Sequence, residues 1–285
     1  MELIKKYRQE AIVGVLILAN ILVWLALYER RPGEHLSVYF FDVGQGDAIF
    51  IESPSRQRIL IDGGRNRKIL TELGKILPFA DRRIDAVIAT HPDSDHIGGL
   101  PEVVSRYKVG VFLESGVGSE GSVDNELEGR LEKKDIPRLL ARRGVTLTLG
   151  DGVRMEILFP ITDVSNWETN RASIVSRLSY GEHEFLFTGD SPSAIESVLI
   201  ALEGTRLDVE VLKAGHHGSR TSTSLEFAKA TTPEYAVISA GRDNMYGHPH
   251  EEVLDNLRGV GAEILSTAEL GTIIFETDGK TLKLK

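Results

Sequence analysis

The chain of 285 residues contains no cysteine. That absence excludes disulfide staples, thiolate metal sites, a cysteine nucleophile and a lipid-modified cysteine anchor, so any metal must be held by His, Asp or Glu. Basic charge is in deficit too. The 33 Lys and Arg face 42 Asp and Glu, a formal charge of -9, which argues against a broad cationic surface of the kind that grips nucleic acid regardless of sequence. There is no short-period repeat, low-complexity tract or long linker. What remains, with 41% apolar and 26% charged residues, is a globular composition long enough for one large domain or two small ones.

One segment stands apart. Residues 11–28 (AIVGVLILANILVWLALY) carry no charge over 18 positions, and a helix rising about 1.5 Å per residue would cover roughly 27 Å, close to one bilayer core. Trp24 and Tyr28 suit an interfacial belt at the distal end, and Lys5, Lys6 and Arg8 precede the run while Arg30 and Arg31 follow it. That modest excess places the N-terminus in the cytoplasm. The run is longer than a usual signal-peptide core and lacks a clear small-x-small cleavage site. The expectation is a single-pass anchor in the cell membrane: residues 1–34 supply a cytoplasmic N-terminus, the span and a short hinge, and residues 35–285 form an extracytoplasmic domain.

In that domain, LSVYFFDVGQGDAIFIES reads as two strands around the turn at Gly44–Asp47, RILIDGG as a third strand ending in a glycine turn, and IDAVIAT as a buried strand leading to His91. Residues 68–77, 100–107, 136–143, 193–201 and 251–257 read as helices, and the acidic stretch 114–134 as a surface loop. Strands VTLTLGDGVRMEILFP, ASIVSRLSY and EFLFTGD, then VEVLKA, YAVISA and a final pair, fill the second half. Two strand-rich halves with interspersed helices predict two packed sheets covered by helices, with functional loops at one edge.

The chemistry concentrates in THPDSDHIGGL, which sets His91, Asp93, Asp95 and His96 within six positions, directly after an apolar strand and before two glycines. His91 and Asp93 can converge on one divalent ion, Asp95 and His96 on a second. Paired ions of this kind activate water and stabilise both attacking and leaving oxygens. Asp93 or Asp95 could instead cap a helix, but capping does not call for two histidines.

The motif resembles the H-x-H-x-D-H signature of metallo-β-lactamase-fold hydrolases, with Asp93 in the second histidine's place. The series FFDVGQGDAIFI, ILIDGG, THPDSDHIGGL, NRASIV, FLFTGD, LKAGHHGS and NMYGHPH is more specifically similar to the hydrolase domain of the ComEC family of competence proteins, over essentially all of residues 36–285. The resemblance implies an α/β (α+β), four-layer αββα sandwich. It also implies Asp190 as the carboxylate bridging two ions and His216 or His217 as the late ligand, with His216 slightly preferred. Asn170 and Ser173 stand where the superfamily carries another histidine, so one metal position is poor in imidazole and rich in oxygen, which suits Mn2+ as well as Zn2+. Asp62 corresponds to a carboxylate that orients a metal-bound histidine, or is a turn residue; Asp47 is open to the same two readings.

Ser219, Asn244, Tyr246 and His248 fall in loops where substrate contacts are expected, with His248 the candidate proton donor and Asp95 the other candidate catalytic group. Arg65, Arg67 and Lys68 form either a small phosphate clamp or a solvated helix start. The implied activity is a metal-dependent phosphodiesterase or nuclease acting on DNA. Hydrolysis of a smaller ester (phosphocholine ester, lactone or β-lactam) and a non-catalytic regulatory module are the alternatives. A single span cannot itself carry DNA through a membrane, so a role in uptake would need a separately encoded channel.

Overall fold

The computed structural model describes residues 2–29, 33–78 and 81–285; in the first of these stretches, side chains are described for Tyr7, residues 10–21, Val23 and Trp24. Helix α1 (Glu2–Glu29) comes first. The expected span at residues 11–28 lies on it, with several side chains, Leu22 and Leu25 among them, outside the described residues. Among the described residues no helix is long and apolar enough to cross a membrane.

Fifteen strands follow among the described residues. The first sheet is built from β1 (Leu36–Phe40), β2 (Ile49–Glu52), β3 (Arg58–Ile61), β4 (Arg83–Ala89), β5 (Lys108–Glu114) and β6 (Arg138–Leu140). The second takes β7 (Thr146–Thr148), β8 (Arg154–Phe159), β9 (Val175–Tyr180), β10 (His183–Phe187), β11 (Val211–Lys213), β12 (Tyr235–Ile238) and β13 (Glu263–Ser266). The closing strands β14 (Ile273–Thr277) and β15 (Leu282–Leu284) return to the first sheet, whose order is β15-β14-β1-β2-β3-β4-β5-β6, against β13-β12-β11-β10-β9-β8-β7 in the second.

Alternation along the strands explains why the sheets stack. In β1 the pattern buried–intermediate–buried turns Val38 and Phe40 inward, and Phe40 meets Phe187 of the other sheet with ring centroids 6.0 Å apart. The inner core joins Val38, Ile61 and Ile88 to Met155, Phe185 and Val211. Strands buried on both faces, such as β3 and most of β4, need an outer layer as well. For the first sheet α2 (Lys68–Ile76), the four-residue turn α3 (Ser94–Ile97), α4 (Leu100–Arg106) and α5 (Ser122–Lys133) supply it, through Ile69, Ile97, Leu100, Val103, Leu127 and Leu131. Over the second sheet, α6 (Ser193–Glu203), α7 (Leu225–Thr231) and α8 (Glu251–Gly259) contribute Leu199, Phe227 and Leu257. The layers are therefore α, β, β, α, as the resemblance implied.

Two local expectations need correction. Residues 136–143 hold the strand β6, not a helix, because Phe112, Leu113 and Glu114 pair in parallel register with Arg138, Leu139 and Leu140. The stretch 114–134 is not a plain loop; it contains α5, whose only buried residues are Leu127 and Leu131, one face spaced i, i+4 within an otherwise charged helix.

Candidate metal centre

Every side chain of the centre hangs from a strand end or the turn after it. The parallel neighbours β3 and β4 deliver Asp62 and Thr90–His91 side by side, and Thr90 donates to Asp62 from both its N–H (2.8 Å) and its hydroxyl (2.7 Å). Asp62 also accepts from His96 Nδ1 (2.8 Å), while His91 Nδ1 donates to the Thr90 hydroxyl (3.0 Å). Both imidazoles thus have their Nδ1 side fixed, which leaves Nε2 facing the centre.

The glycines of HIGGL have a steric purpose. A Cβ at Gly98 would lie 2.2 Å from Arg65 O and one at Gly99 2.3 Å from Gly63 O, so only glycine lets this turn press against the IDGG loop.

From the second sheet, β10 leads to Asp190 three residues past its end and β11 leads into Gly215–Gly218, where His216 (φ 48) and His217 (φ 56) both adopt left-handed backbone, an unfavourable conformation for side chains of this size. His217 is 1% exposed; its Nδ1 donates to Ser239 O (2.8 Å), and its Nε2 lies 3.4 Å from Asp190 and 3.6 Å from Asp95. Asp190 also lies 3.2 Å from His96 Nε2 and 3.9 Å from His91 Nε2.

The buried Nε2 atoms of His91, His96 and His217 and Oδ1 of Asp190 have no hydrogen-bond partner. Orphaned buried polar atoms are costly, and three such Nε2 atoms gathered within 3.9 Å of the Asp190 carboxylate fit a cation. Asp47, His96, Asp190 and His217 each offer a ligand atom within 4.8 Å of one another. Asp47, however, approaches His217 at Nδ1 (3.3 Å) and ion-pairs with the buried Lys213 (2.6 Å). It braces the back of the site, whereas Asp95 and Asp190 face the Nε2 atoms.

The electrostatics match this division. Burial opposes charge on every member. At Asp47 it is outweighed by Lys213 and then His217, which hold the carboxyl down at about 2. In the metal-free protein Asp190 and Asp47 overcome burial at His217 and raise it to about 9; Asp190 and Asp62 do the same for His96. Burial and then His96 drive His91 down to about 3. Protons on His96 and His217 thus stand where divalent charge would.

His91, Asp93, Asp95, His96, Asp190, His216 and His217 are all brought together. Asp93 is the N-terminal flank of α3 but makes no capping hydrogen bond, and it lies 3.7 Å from His91 Nε2. Of the two adjacent histidines, His217 belongs to the buried cluster, whereas the slightly preferred His216 is partly exposed, with its Nε2 3.6 Å from Asp190 and its Nδ1 3.1 Å from the Thr221 hydroxyl, so it flanks the mouth while His217 fills the interior. Asn170 carries a buried Oδ1 without a partner, and the Ser173 hydroxyl accepts from Asp190 N–H (3.3 Å).

The outer residues divide. The His248 ring lies 5.7 Å from His216 and 5.6 Å from Tyr246, with Nδ1 buried and unpartnered. Burial and then His216 lower it to about 4, so at neutral pH it is an uncharged imidazole, better suited to accept a proton than to donate one. Asn244 is spent on the loop, donating to Gly241 O (2.8 Å) and His248 O (2.6 Å), and the Ser219 hydroxyl is buried and accepts from Thr221 (3.0 Å). Arg67 pairs with Glu102 (2.7 Å) and Lys68 with Asp42 (3.0 Å), which leaves Arg65, exposed, of the expected clamp. Sequence reasoning missed Lys213; a lysine ending an apolar strand was the signal available.

An αββα sandwich whose imidazoles and carboxylates converge at one edge of both sheets defines the metallo-β-lactamase class. Residues 41–242 match the family model of the metallo-beta-lactamase superfamily, and the chain belongs to that superfamily. Its relatives include ComE operon protein 3 of Bacillus subtilis, 31% identical across 91% of this chain and 35% of that protein, and Competence protein ComA of Neisseria gonorrhoeae, 32% identical across 92% of this chain and 35% of that protein. The chain thus spans about a third of the length of these competence-related relatives. Among solved structures, Igni18, a metallo hydrolase from Ignicoccus hospitalis, covers 85% of this chain and 99% of its own at 17% identity and a TM-score of 0.52, a likeness of fold.

Proposed function

We propose that the protein is a membrane-anchored, extracytoplasmic phosphodiesterase that cleaves DNA. The observation that carries the phosphodiester reading is the rim of the centre. Arg65, Arg171, Arg220 and Arg242 are exposed and follow Asp62, Asn170, Ser219 and Gly241 within three residues, Arg171 on the 3-10 turn Asn170–Ala172 and Arg242 with its guanidinium on Ala268 O, in a chain of net charge -9. Tyr246 is 51% exposed and stacks on His248, and Arg171 lies over the Trp167 ring at 5.6 Å. Local arginines beside an exposed tyrosine suit a single strand, whose phosphates and bases they would contact in turn.

Bound divalent ions, zinc or manganese, would supply Lewis acidity and an activated water. His91, His96, His217, Asp95 and Asp190 would hold them, with Asp93 and Asn170 completing the oxygen-rich position. Asp62 and Asp47 keep the imidazoles oriented, and His248 would line the mouth beside His216 as an uncharged imidazole. The anchor reading is supported by α1 itself: residues 11–21 are exposed throughout, including Ile12 (51%) and Leu16 (60%), an apolar surface that water does not favour. The likeness to competence proteins supports service to a separately encoded DNA channel.

The test offers the metal-loaded protein single-stranded DNA, bis-p-nitrophenyl phosphate and a β-lactam. Cleavage of both phosphodiesters is expected; lactam turnover alone would establish the small-ester reading instead.

A further inference from the structure

The parallel strands β3, β4 and β5 have two ends, and the metal centre occupies one. At the other, Gly33 N–H donates to Pro54 O (2.7 Å), so the chain arriving from α1 joins the sandwich beside the turn between β2 and β3. Along the neighbouring strand starts, Arg83 Nη2 donates to Arg56 O (3.5 Å), Arg83 is in register with Lys108, and Lys134 Nζ donates to Ser105 O (2.7 Å). A groove of about 690 Å³ on this end is lined by Arg82, Arg83, Arg106, Lys108 and Lys134 against Asp81 and Asp135. Asp81 is itself neutralised by the buried Arg58 at 2.9 Å. Arg83 faces Asp85 at 3.4 Å and Arg106 faces Glu102 at 3.0 Å, whereas Lys108 and Lys134 line the groove with no ion-pair partner among the described residues, so these two lysines carry the excess positive charge on this end of a chain that is acidic as a whole.

We propose that this basic end docks on anionic phospholipid headgroups of the bilayer that holds α1, which turns the metal centre away from the membrane. The inference rests on the anchor reading above. Residues 30–35 link helix to sheet, and six extended residues reach at most about 20 Å. A tether of that length keeps the basic end near the headgroups, where attraction acts over roughly 8–10 Å at ordinary salt. The opposite end, beyond the length of the strands, lies outside that range. Each basic residue held at an anionic surface strengthens attachment roughly fivefold.

The absence of native cysteine makes the test direct. Full-length protein carrying Glu132→Cys at the basic end, or Met245→Cys at the metal end, is labelled with a donor dye and reconstituted in phosphatidylcholine vesicles containing a headgroup acceptor, with and without phosphatidylglycerol. Energy transfer is expected to be stronger from position 132 than from 245, to increase with phosphatidylglycerol, and to weaken at high salt. Lys108→Gln and Lys134→Gln should each lower the docked-to-undocked ratio on the order of fivefold on anionic vesicles, with no change on neutral ones. Protein that floats with the vesicles but shows equal transfer from both positions, or indifference to phosphatidylglycerol, overturns the docking while leaving the anchor intact. Failure to float overturns the anchor reading and the docking with it. Loss of single-stranded DNA binding in the Lys variants on neutral vesicles would assign the groove to nucleic acid and likewise overturn the proposal.

Discussion

Lys213 Nζ lies 2.6 Å from Asp47 Oδ2, with both side chains removed from solvent. The other Asp47 oxygen approaches His217 Nδ1, so this pair holds the late histidine from behind. Removing one partner of a buried pair leaves the other uncompensated, at a cost of about 3–5 kcal/mol, whereas removing both is far less harmful. Lys213→Met should therefore destabilise the protein by about that amount in urea unfolding, and adding Asp47→Asn should restore most of it. A double variant no more stable than Lys213→Met would contradict the assignment.

His217→Ala and His216→Ala separate interior from mouth. The first should cost at least one equivalent of bound metal, counted by elemental analysis after dialysis. The second should retain its metal and show its defect in substrate turnover. The reverse pattern would restore His216 as ligand.

The metal-free protein should be sensitive to alkali. His217 is raised from 6.5 to about 9 on folding, and His96 is raised in the same direction. A raised folded-state value gives stability that is complete below the unfolded value and is lost as pH climbs through the folded one. The melting temperature in chelator should thus fall between about pH 6.5 and pH 9. Loaded protein should not show this loss, because metal takes the protons' place, and metal uptake should release protons measurable by titration in buffers of different ionisation enthalpy.

Asp62→Asn would keep the shape of the site but weaken its hold on His96 Nδ1. Metal affinity should drop roughly 10–100-fold with little change in the folded signal, read by competition with a chromophoric chelator. An unchanged affinity would make Asp62 a turn residue only.

If the arginine rim contacts phosphates, Arg171→Ala and Arg220→Ala should each weaken single-stranded DNA binding and reduce its logarithmic salt slope by about 0.7. Turnover of bis-p-nitrophenyl phosphate, which is too small to span the rim, should change much less.

The strand ends that carry chemistry were legible because apolar runs stop abruptly at charged groups: IDAVIAT before His91, FLFTGD at Asp190, VEVLKA before His216 and His217. Residues 136–143 misled because strand and helix periods agree over so short a run, and pairing with β5 decides between them. The stretch 114–134 misled because α5 buries only Leu127 and Leu131. His216 and His217 are adjacent in sequence, and only the left-handed backbone at both determines which ring turns inward. Asn244 looked free for a ligand since nothing local shows that its amide closes its own loop.

The candidate ligands come from both leaves of the sandwich: His91, Asp95 and His96 follow a strand of the first sheet, Asp190 and His217 strands of the second. An ion shared among them would be a clasp across the open edge of a two-leaved book. In a chain without cysteine, it would be the strongest cross-link available between the leaves, joining segments nearly a hundred residues apart in the sequence. Chelation should then loosen one edge alone, with amide exchange rising around Thr90 and Gly189 while the far edge near Gly33 and Pro54 stays protected.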